Sequence, residues 1–402
     1  MNRPALDIHA ELPLRVCLAD GDLRAEWIRV DGIDDALLAE WGELTASAAD
    51  ANVFAEPWLA VAGMRHCAGG STAQLLVARD SAHRLTGIAT LSATKRMGRS
   101  PLKYSGDWAH PNAFLLSATA RAGTEAACWA AIIEATGARH GNSRALVIDG
   151  LVEGGAMYGG LVAAAQKLRL PIAVEGRTVR AMLATDVEAD AYWDASVRAK
   201  KRKELRRQWA RLGEMGLLSV DHGDQTADAR PWIDEFLALE ASGWKGTNGS
   251  ALASNPDTLA FFRDAMTAGW ARGQVLLTAL RIDGRAIAML ITLVSGNAGF
   301  SFKTAFDEEF ARFSPGVLLQ RESLGLLTSR KLAFIDSCAA QDHPMIDSLW
   351  RERRAVVTLS LPLPGTVNRL AWQTTQVAMA VWRGIKGLRQ RPVTPTKKDE
   401  DE

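Results

Sequence analysis

Apolar runs punctuated by turn formers mark the stretch from Gln274 to Gly316. Two apolar runs, 274–282 and 285–294, are joined by Asp283-Gly284, a dipeptide suited to a tight hairpin because glycine tolerates positive φ. The polar turn Ser295-Gly296-Asn297 leads into a third run, 299–303, so the pattern predicts an antiparallel three-strand meander. From Pro315 the apolar positions Val317, Leu318, Leu324, Leu326 and Leu327 change to helical spacing. Proline suits the first helical turn, where its missing N–H costs nothing. The expected unit is a strand ending in Lys303, an acidic loop (Asp307, Glu308, Glu309) and a helix opening beside that strand. Free N–H groups at such a helix start attract phosphate, and the macrodipole adds to the attraction.

Elsewhere the same reading predicts strands over 12–18 and 23–30 and a short helix over 34–44, followed by a strand pair over 74–78 and 85–92. A turn-rich loop over 98–112 precedes a helix over 124–136, a buried strand over 145–148 and a helix over 157–168 ended by Pro171. Strand runs 172–174 and 178–183 then open a second half with the same general order of elements but no residue-level repeat. That half contains a helix over 192–214, a strand over 217–220 and helices over 232–241 and 259–270. Past the meander come a short strand over 333–335, a helix through Trp350 and a strand over 355–361. The fold class is α+β.

At 402 residues the chain is long enough for two domains with their own cores, and the net charge of +1 gives no global argument for a nucleic-acid polymer. Cys17, Cys67, Cys128 and Cys338 are far apart, and neither His66 nor His83 adds a ligand-like grouping, so no metal is expected and a reduced, cytoplasmic protein is. Residues 1–12 carry Asp7 and Glu11 without an apolar core, unlike a signal peptide, and no apolar run approaches the ~20 residues of a membrane span.

Charge is local instead. On the helix over 192–214, Leu205, Trp209 and Leu212 form a narrow apolar seam, while Arg198, Arg202 and Arg206, with Arg207 nearby, make a basic side. It reads either as a solvated face or as a wall for an anionic ligand, since arginine's fork suits phosphate oxygens. Trp244 and Lys245 stand between Gly243 and Gly246; they are substrate contacts, or a helix stop whose tryptophan fills the core. In the tail, from Leu370 to Arg391, Val377, Val381, Ile385 and Leu388 recur at helical spacing beside Trp382, with Arg383, Lys386, Arg389 and Arg391 supplying charge. That composition fits a helix lying on a membrane surface, and equally a helix docked on the protein itself.

The segments KKRKELRRQWARLGEMG, FLALEASGWKG, GRAIAM, FKTAFDEEFARFSPG, IDSC and HPMIDSLWRERR, in that order from about Tyr192 to Arg354, resemble GNAT-type acyltransferases. The similar group includes CelD-like proteins of cellulose biosynthesis and holdfast-polysaccharide N-acyltransferases, and its architecture is similar to that of the Fem peptidyltransferases. The resemblance implies tandem GNAT folds, each a mixed, mostly antiparallel sheet flanked by helices. The expected division is a degenerate first domain over 1–170, a catalytic domain over 171–361 and a basic helical tail over 362–402.

It also implies transfer from acyl-CoA, acetyl or longer, to an amine such as a lipid-linked amino sugar of an exopolysaccharide. The alternatives are N-acylation of a long-chain amine, as in ceramide synthases, and a non-catalytic scaffold binding a cyclic dinucleotide. Lys303 would meet an oxyanion or donor phosphate, Asp336 or His343 would take the amine proton, and Arg202, Arg206, Arg207, Trp244 and Lys245 would contact substrate. Arg312, Ser314, Gly316 and Val317 match the donor-binding motif in part; Pro315 occupies its first glycine position and Val317 its last, so fewer N–H groups face a pyrophosphate.

Overall fold

The computed structural model of the chain describes residues 16–17, 23–95, 102–116, 118–139 and 143–389. The expected strand over 12–18 and loop over 98–112 are therefore covered in part, and 390–402 lie outside the described residues. The first half comprises β1 (Val16–Cys17), β2 (Arg24–Arg29), α1 (Asp35–Ala46), α2 (Pro57–His66), β3 (Gln74–Arg79), β4 (Leu85–Lys95), β5 (Tyr104–Asp107) and β6 (Thr119–Ala120). It closes with α3 (Glu125–Arg139), β7 (Ala145–Val152) and α4 (Ala156–Lys167). The second half begins with β8 (Ala173–Leu183), α5 (Ala189–Ser196), α6 (Ala199–Gly213), β9 (Leu218–Asp221), α7 (Arg230–Ser242), α8 (Trp244–Thr247) and α9 (Pro256–Trp270). The meander β10 (Val275–Ile282), β11 (Arg285–Ser295) and β12 (Ala298–Phe306) follows, then α10 (Pro315–Ser329), β13 (Phe334–Asp336), β14 (Glu352–Pro362) and α11 (Thr366–Arg389).

These strands form one sheet, ordered β1-β2-β3-β4-β5-β7-β14-β8-β13-β12-β11-β10-β9, with β6 beside β4. Each half contributes an antiparallel run, β2 to β5 and β9 to β12, whose last strand pairs in parallel with β7 or β13. Helices α1 and α2 fall between β2 and β3 as α7 and α9 fall between β9 and β10, so the halves repeat one plan. The architecture is the mixed, mostly antiparallel sheet with flanking helices that the resemblance implies. The division expected at 170/171 falls between α4 and β8 but does not separate two sheets. Strand β14, which follows β13 in the chain, pairs with β7 of the first half and with β8, so the halves are joined through exchanged strands.

Side-chain alternation sorts the core into layers. Leu75, Val77 and Ile88 of the first half and Val275, Leu277 and Ala279 of the second point into one shared core, roofed by α1, α2, α7 and α9. The alternate positions face two separate cores on the other side, one under α3 and α4 and one under α5, α6 and α10. Across the shared core, buried Glu56 at the start of α2 accepts hydrogen bonds from Thr45 Oγ1 (3.0 Å) and from Ser295 Oγ of the second half (2.6 Å).

Several elements differ from expectation. Helix α2 has eight consecutive buried residues, Pro57 to Met64, so it lacks the one-sided pattern that marks a surface helix. The helix expected over 192–214 is two, broken at Val197, where Arg202 turns back to donate to the carbonyls of Asp194 and Val197. The stretch before Trp350 holds only a 3-10 turn, Ile346–Ser348, in place of a helix. The expected loop over 98–112 contains β5, buried at all four positions.

Candidate functional site

The geometry around Lys303 begins with a register slip. Thr292 pairs with Ser301 and Ile291 with Lys303, so Phe302 is an extra residue bulged out of β12. A bulge reverses the side-chain parity that follows it. Ala298, Phe300 and Phe302 enter the shared core, and past the bulge Ala305 does too. Ser301 and Thr304 instead face α10, each with its hydroxyl 3.4 Å from Gln320 Nε2. Lys303 thereby joins the shared face, its ammonium 5.5 Å from the Phe302 ring centroid and 5.8 Å from that of Phe114. The start of α10 lies by the other face, where Gly316 neighbours Thr304, Phe306 and Met345. One cation serving both the oxyanion and a phosphate on α10 is therefore not what this arrangement provides.

The wall opposite Lys303 comes from the first half. The loop over 108–116 carries Trp108, His110 and Phe114, and its Phe114 carbonyl accepts from Arg180 Nη1 at 3.1 Å. His110 is 8% exposed, packs against Phe261 at 4.7 Å between ring centroids and leaves Nδ1 without a partner. Burial, with the nearby Lys303 charge, pushes the imidazole down to about 4, so it is neutral at physiological pH. From α7 comes buried Glu240, whose carboxylate accepts from Lys245 Nζ and from the Leu252 N–H, each at 2.8 Å.

Lys303 itself has no hydrogen-bonding or ion-pair partner among the described residues. Burial pushes its pKa down to about 8; Glu240 opposes this and Lys245 reinforces it. An amine with that pKa exchanges a proton readily near neutral pH. Beside it, the seam between β12 and β13 closes after three residue pairs, the last being Phe300 with Asp336. Past Phe300, β12 pairs only with β11, leaving one flank of the strand open next to the lysine.

Asp336 occupies a different kind of place. Its side chain is fully buried, with Oδ1 2.7 Å from Arg180 Nε and Oδ2 accepting from Arg180 Nη2 (2.8 Å) and Arg354 Nη1 (2.9 Å). Oδ1 also accepts from the Cys338 N–H at 2.9 Å. Arg180 and Arg354 are paired directly across β8 and β14, and the carboxylate between them offsets their repulsion. A carboxylate so engaged is an anchor, not an open proton acceptor. Cys338, turned at φ 51, has its thiol pushed well up by burial, with Asp336 adding to the effect. His343 lies half-buried in the turns before Ile346, with Nδ1 unpartnered.

The donor-motif and basic residues also separate on inspection. At the start of α10, Ser314 is left-handed, and the N–H groups of Val317 and Leu318 both turn back to the Ser314 carbonyl. With Pro315 lacking an N–H, this turn is a poorer phosphate cradle than an open helix start. Exposed Arg312 lies over the Phe313 ring. Arg202 is committed to Asp194 and Arg207 to Glu204, whereas Arg206 makes no ion pair among the described residues and, with Trp193, Trp209 and Arg321, lines a cavity of about 180 Å³ between α6 and α10. Trp244 is exposed rather than a core plug, and its N–H donates to Glu308 at 2.6 Å. Sequence reasoning missed His110, Phe114, Glu240, Arg180 and Arg354. Glu240 sits five residues before Lys245 in an otherwise apolar helical stretch, the one local signal among them. Among the described residues, no group of acidic, histidine and cysteine side chains is arranged to hold a metal ion.

Residues 199–343 match the family profile described as an acetyltransferase (GNAT) domain, which spans Lys303, α10 and Asp336. No curated protein matches the chain. Among solved structures, FemX aligns with TM-score 0.51 at 11% identity, covering 80% of this chain and 96% of FemX. A conserved protein of unknown function from Bacteroides thetaiotaomicron aligns with TM-score 0.50 at 11% identity, covering 82% and 99%. A tandem GNAT protein from the clavulanic acid biosynthesis pathway aligns at 0.41 and 18% identity, covering 86% and 99%. Identities this low speak to the fold. The domain match makes the chain an acyltransferase.

Proposed function

We propose that this GNAT-domain acyltransferase moves an acyl group from acyl-CoA, acetyl or longer, to the amine of an amino sugar used in exopolysaccharide synthesis. The observation that carries the chemistry is Lys303, a lysine with no hydrogen-bonding partner among the described residues, lowered to about 8 and held beside the open flank of β12. The amine nitrogen attacks the thioester carbonyl carbon, forming the C–N bond as the carbonyl π pair moves to oxygen. Neutral Lys303 takes the proton from that nitrogen. Collapse of the intermediate breaks the C–S bond, and the Lys303 ammonium returns the proton to the departing thiolate. Positioning and charge stabilisation supply most of the rate, because the amine is itself a good nucleophile.

The open flank of β12 suits the amide-bearing arm of coenzyme A, since an unpaired strand edge takes an extended chain through main-chain hydrogen bonds. Arg312, Gly316 and Arg206 remain the candidates for its phosphates, with Ser314 and Val317 shaping the turn. In this reading Asp336 positions the site, through Arg180 and the Phe114 carbonyl, and His343 is not needed for proton transfer. The engagement of Arg202 and Arg207 with acidic neighbours argues against a cyclic-dinucleotide scaffold.

The test is a radiolabelled acyl-CoA assay with a lipid-linked amino sugar and, separately, sphinganine as acceptor. Acylation of sphinganine alone replaces the amino-sugar acceptor with a long-chain amine. Lys303→Ala is expected to lower turnover by about a hundredfold, the scale of losing one well-placed catalytic group. Lys303→Arg keeps the charge but cannot give up its proton, so it is expected to lose the rise of kcat/KM through pH 8. Near wild-type turnover in Lys303→Ala at unchanged thermal stability removes Lys303 from the reaction.

A further inference from the structure

Helix α11 extends about 36 Å by the α-helical rise. It meets the rest of the protein along one side of its first half. Trp372 and Thr375 are buried there, with Trp372 Nε1 donating to Ser360 Oγ at 3.0 Å and Gln376 Nε2 to Glu175 at 2.5 Å. At 100° per residue these positions share one face. Val367, Leu370, Val377 and Val381 fall on the opposite face, and they are 66%, 57%, 65% and 58% exposed. A helix docked on its own core would bury that stripe. This one presents it outward, and in the sequence the same spacing continues to Ile385 and Leu388.

Charge indicates what covers it. From Ala355 to Lys398 the chain has no aspartate or glutamate, while Arg369, Arg383, Lys386, Arg389, Arg391, Lys397 and Lys398 are all cationic. Residues 355–398 thus carry +7 in a protein of net charge +1, ahead of the four acidic residues Asp399 to Glu402. Two copies meeting through this face would bring two acid-free cationic segments together, which like-charge repulsion opposes. An anionic lipid surface takes up the apolar stripe and neutralises the cations at once. No described helix is long and apolar enough to cross a bilayer, so the contact is with the surface.

We propose that the outward face of α11 docks the protein on an anionic membrane surface. This does not depend on the acyl acceptor proposed above, because the test reads binding and not turnover. The full chain is co-sedimented with vesicles of phosphatidylcholine alone and of phosphatidylcholine with phosphatidylglycerol, at low and high salt. The expected result is binding to the phosphatidylglycerol vesicles that weakens with salt, and a loss of tenfold or more in Val377→Asp/Val381→Asp. Both positions are exposed, so the variant should keep the wild-type melting temperature, and equal melting confirms that the loss is one of binding. No binding to anionic vesicles, or equal binding by wild type and variant, overturns the proposal. A wild-type dimer in light scattering that the double variant makes monomeric, without lipid binding, assigns the face to a second copy and overturns it as well.

Discussion

Replacing Lys303 with methionine tests whether the site holds its lysine at a cost to stability. The folded-state pKa is about 8, against 10.5 for the free side chain, because burial disfavours the charged form. Each pKa unit is worth about 1.4 kcal/mol, so the charged lysine costs roughly 3 kcal/mol relative to an uncharged side chain. Contacts with the Phe114 and Phe302 rings favour the cation, so the folded-state pKa is the balance left after them. The sign follows from proton binding. Between pH 8 and 10.5 the unfolded chain holds more protons on this side chain than the folded one, so the wild type gains stability as pH rises through that window. Methionine has similar length and no charge. Lys303→Met should therefore be more stable by about 3 kcal/mol at pH 7, with most of the difference gone by pH 10.5. Urea unfolding of both proteins at pH 7, 9 and 10.5 measures this, and other titrating groups cancel in the difference. Equal stability at pH 7, or a gap that does not close with pH, refutes a lysine strained by burial and with it the proton-transfer role.

Other expectations follow from the same contacts. Asp336→Ala strands Arg180 and Arg354 without their buried partner and should cost about 3–5 kcal/mol in chemical denaturation. If it lowers turnover with stability intact, Asp336 is a base after all. Gly63→Ala places a methyl 2.8 Å from His110 Nε2, so it should cost roughly 1–3 kcal/mol and disturb the wall facing Lys303, read as a fall in kcat. Arg206→Ala should raise the KM for acyl-CoA severalfold, while Arg207→Ala, whose partner is Glu204, should not. A fragment beginning at residue 171 loses the β7 partner of β14 and half of the shared core, and should be aggregated or unfolded by circular dichroism and light scattering.

How much of this was legible in the residues depends on how local the cause is. The meander was legible because Asp283-Gly284 is a turn in itself, and both residues have positive φ, 48° and 83°. Helix α10 was legible because Pro315 marks its start and its apolar spacing is one-sided. Helix α2 was not, because residues apolar on every side carry no period. In Phe300-Ser301-Phe302-Lys303-Thr304-Ala305 the alternation breaks at the polar pair Lys303-Thr304, and that break is the local trace of the bulge that decides which face Lys303 occupies. Lys303 was expected at the end of its strand and beside the start of α10, whereas β12 continues to Phe306 and the bulge turns the lysine to the other face.

The residues that surround it were beyond local reading for a different reason. His110 and Phe114 come from the other half, and the shared core and the β7–β14 pairing bring them there. Strand β14 crosses to pair with β7 of the first half, and with its neighbour β8 it brings Arg354 and Arg180 together on Asp336. Arg180 then spends a further donor on the Phe114 carbonyl, fixing the loop that lies over Lys303. The lysine's low pKa is thus a consequence of topology, since it is the wall from the first half that helps exclude water from the ammonium. A first half without its own lysine unit is consistent with this arrangement, because what it supplies is the wall that buries a group it does not carry.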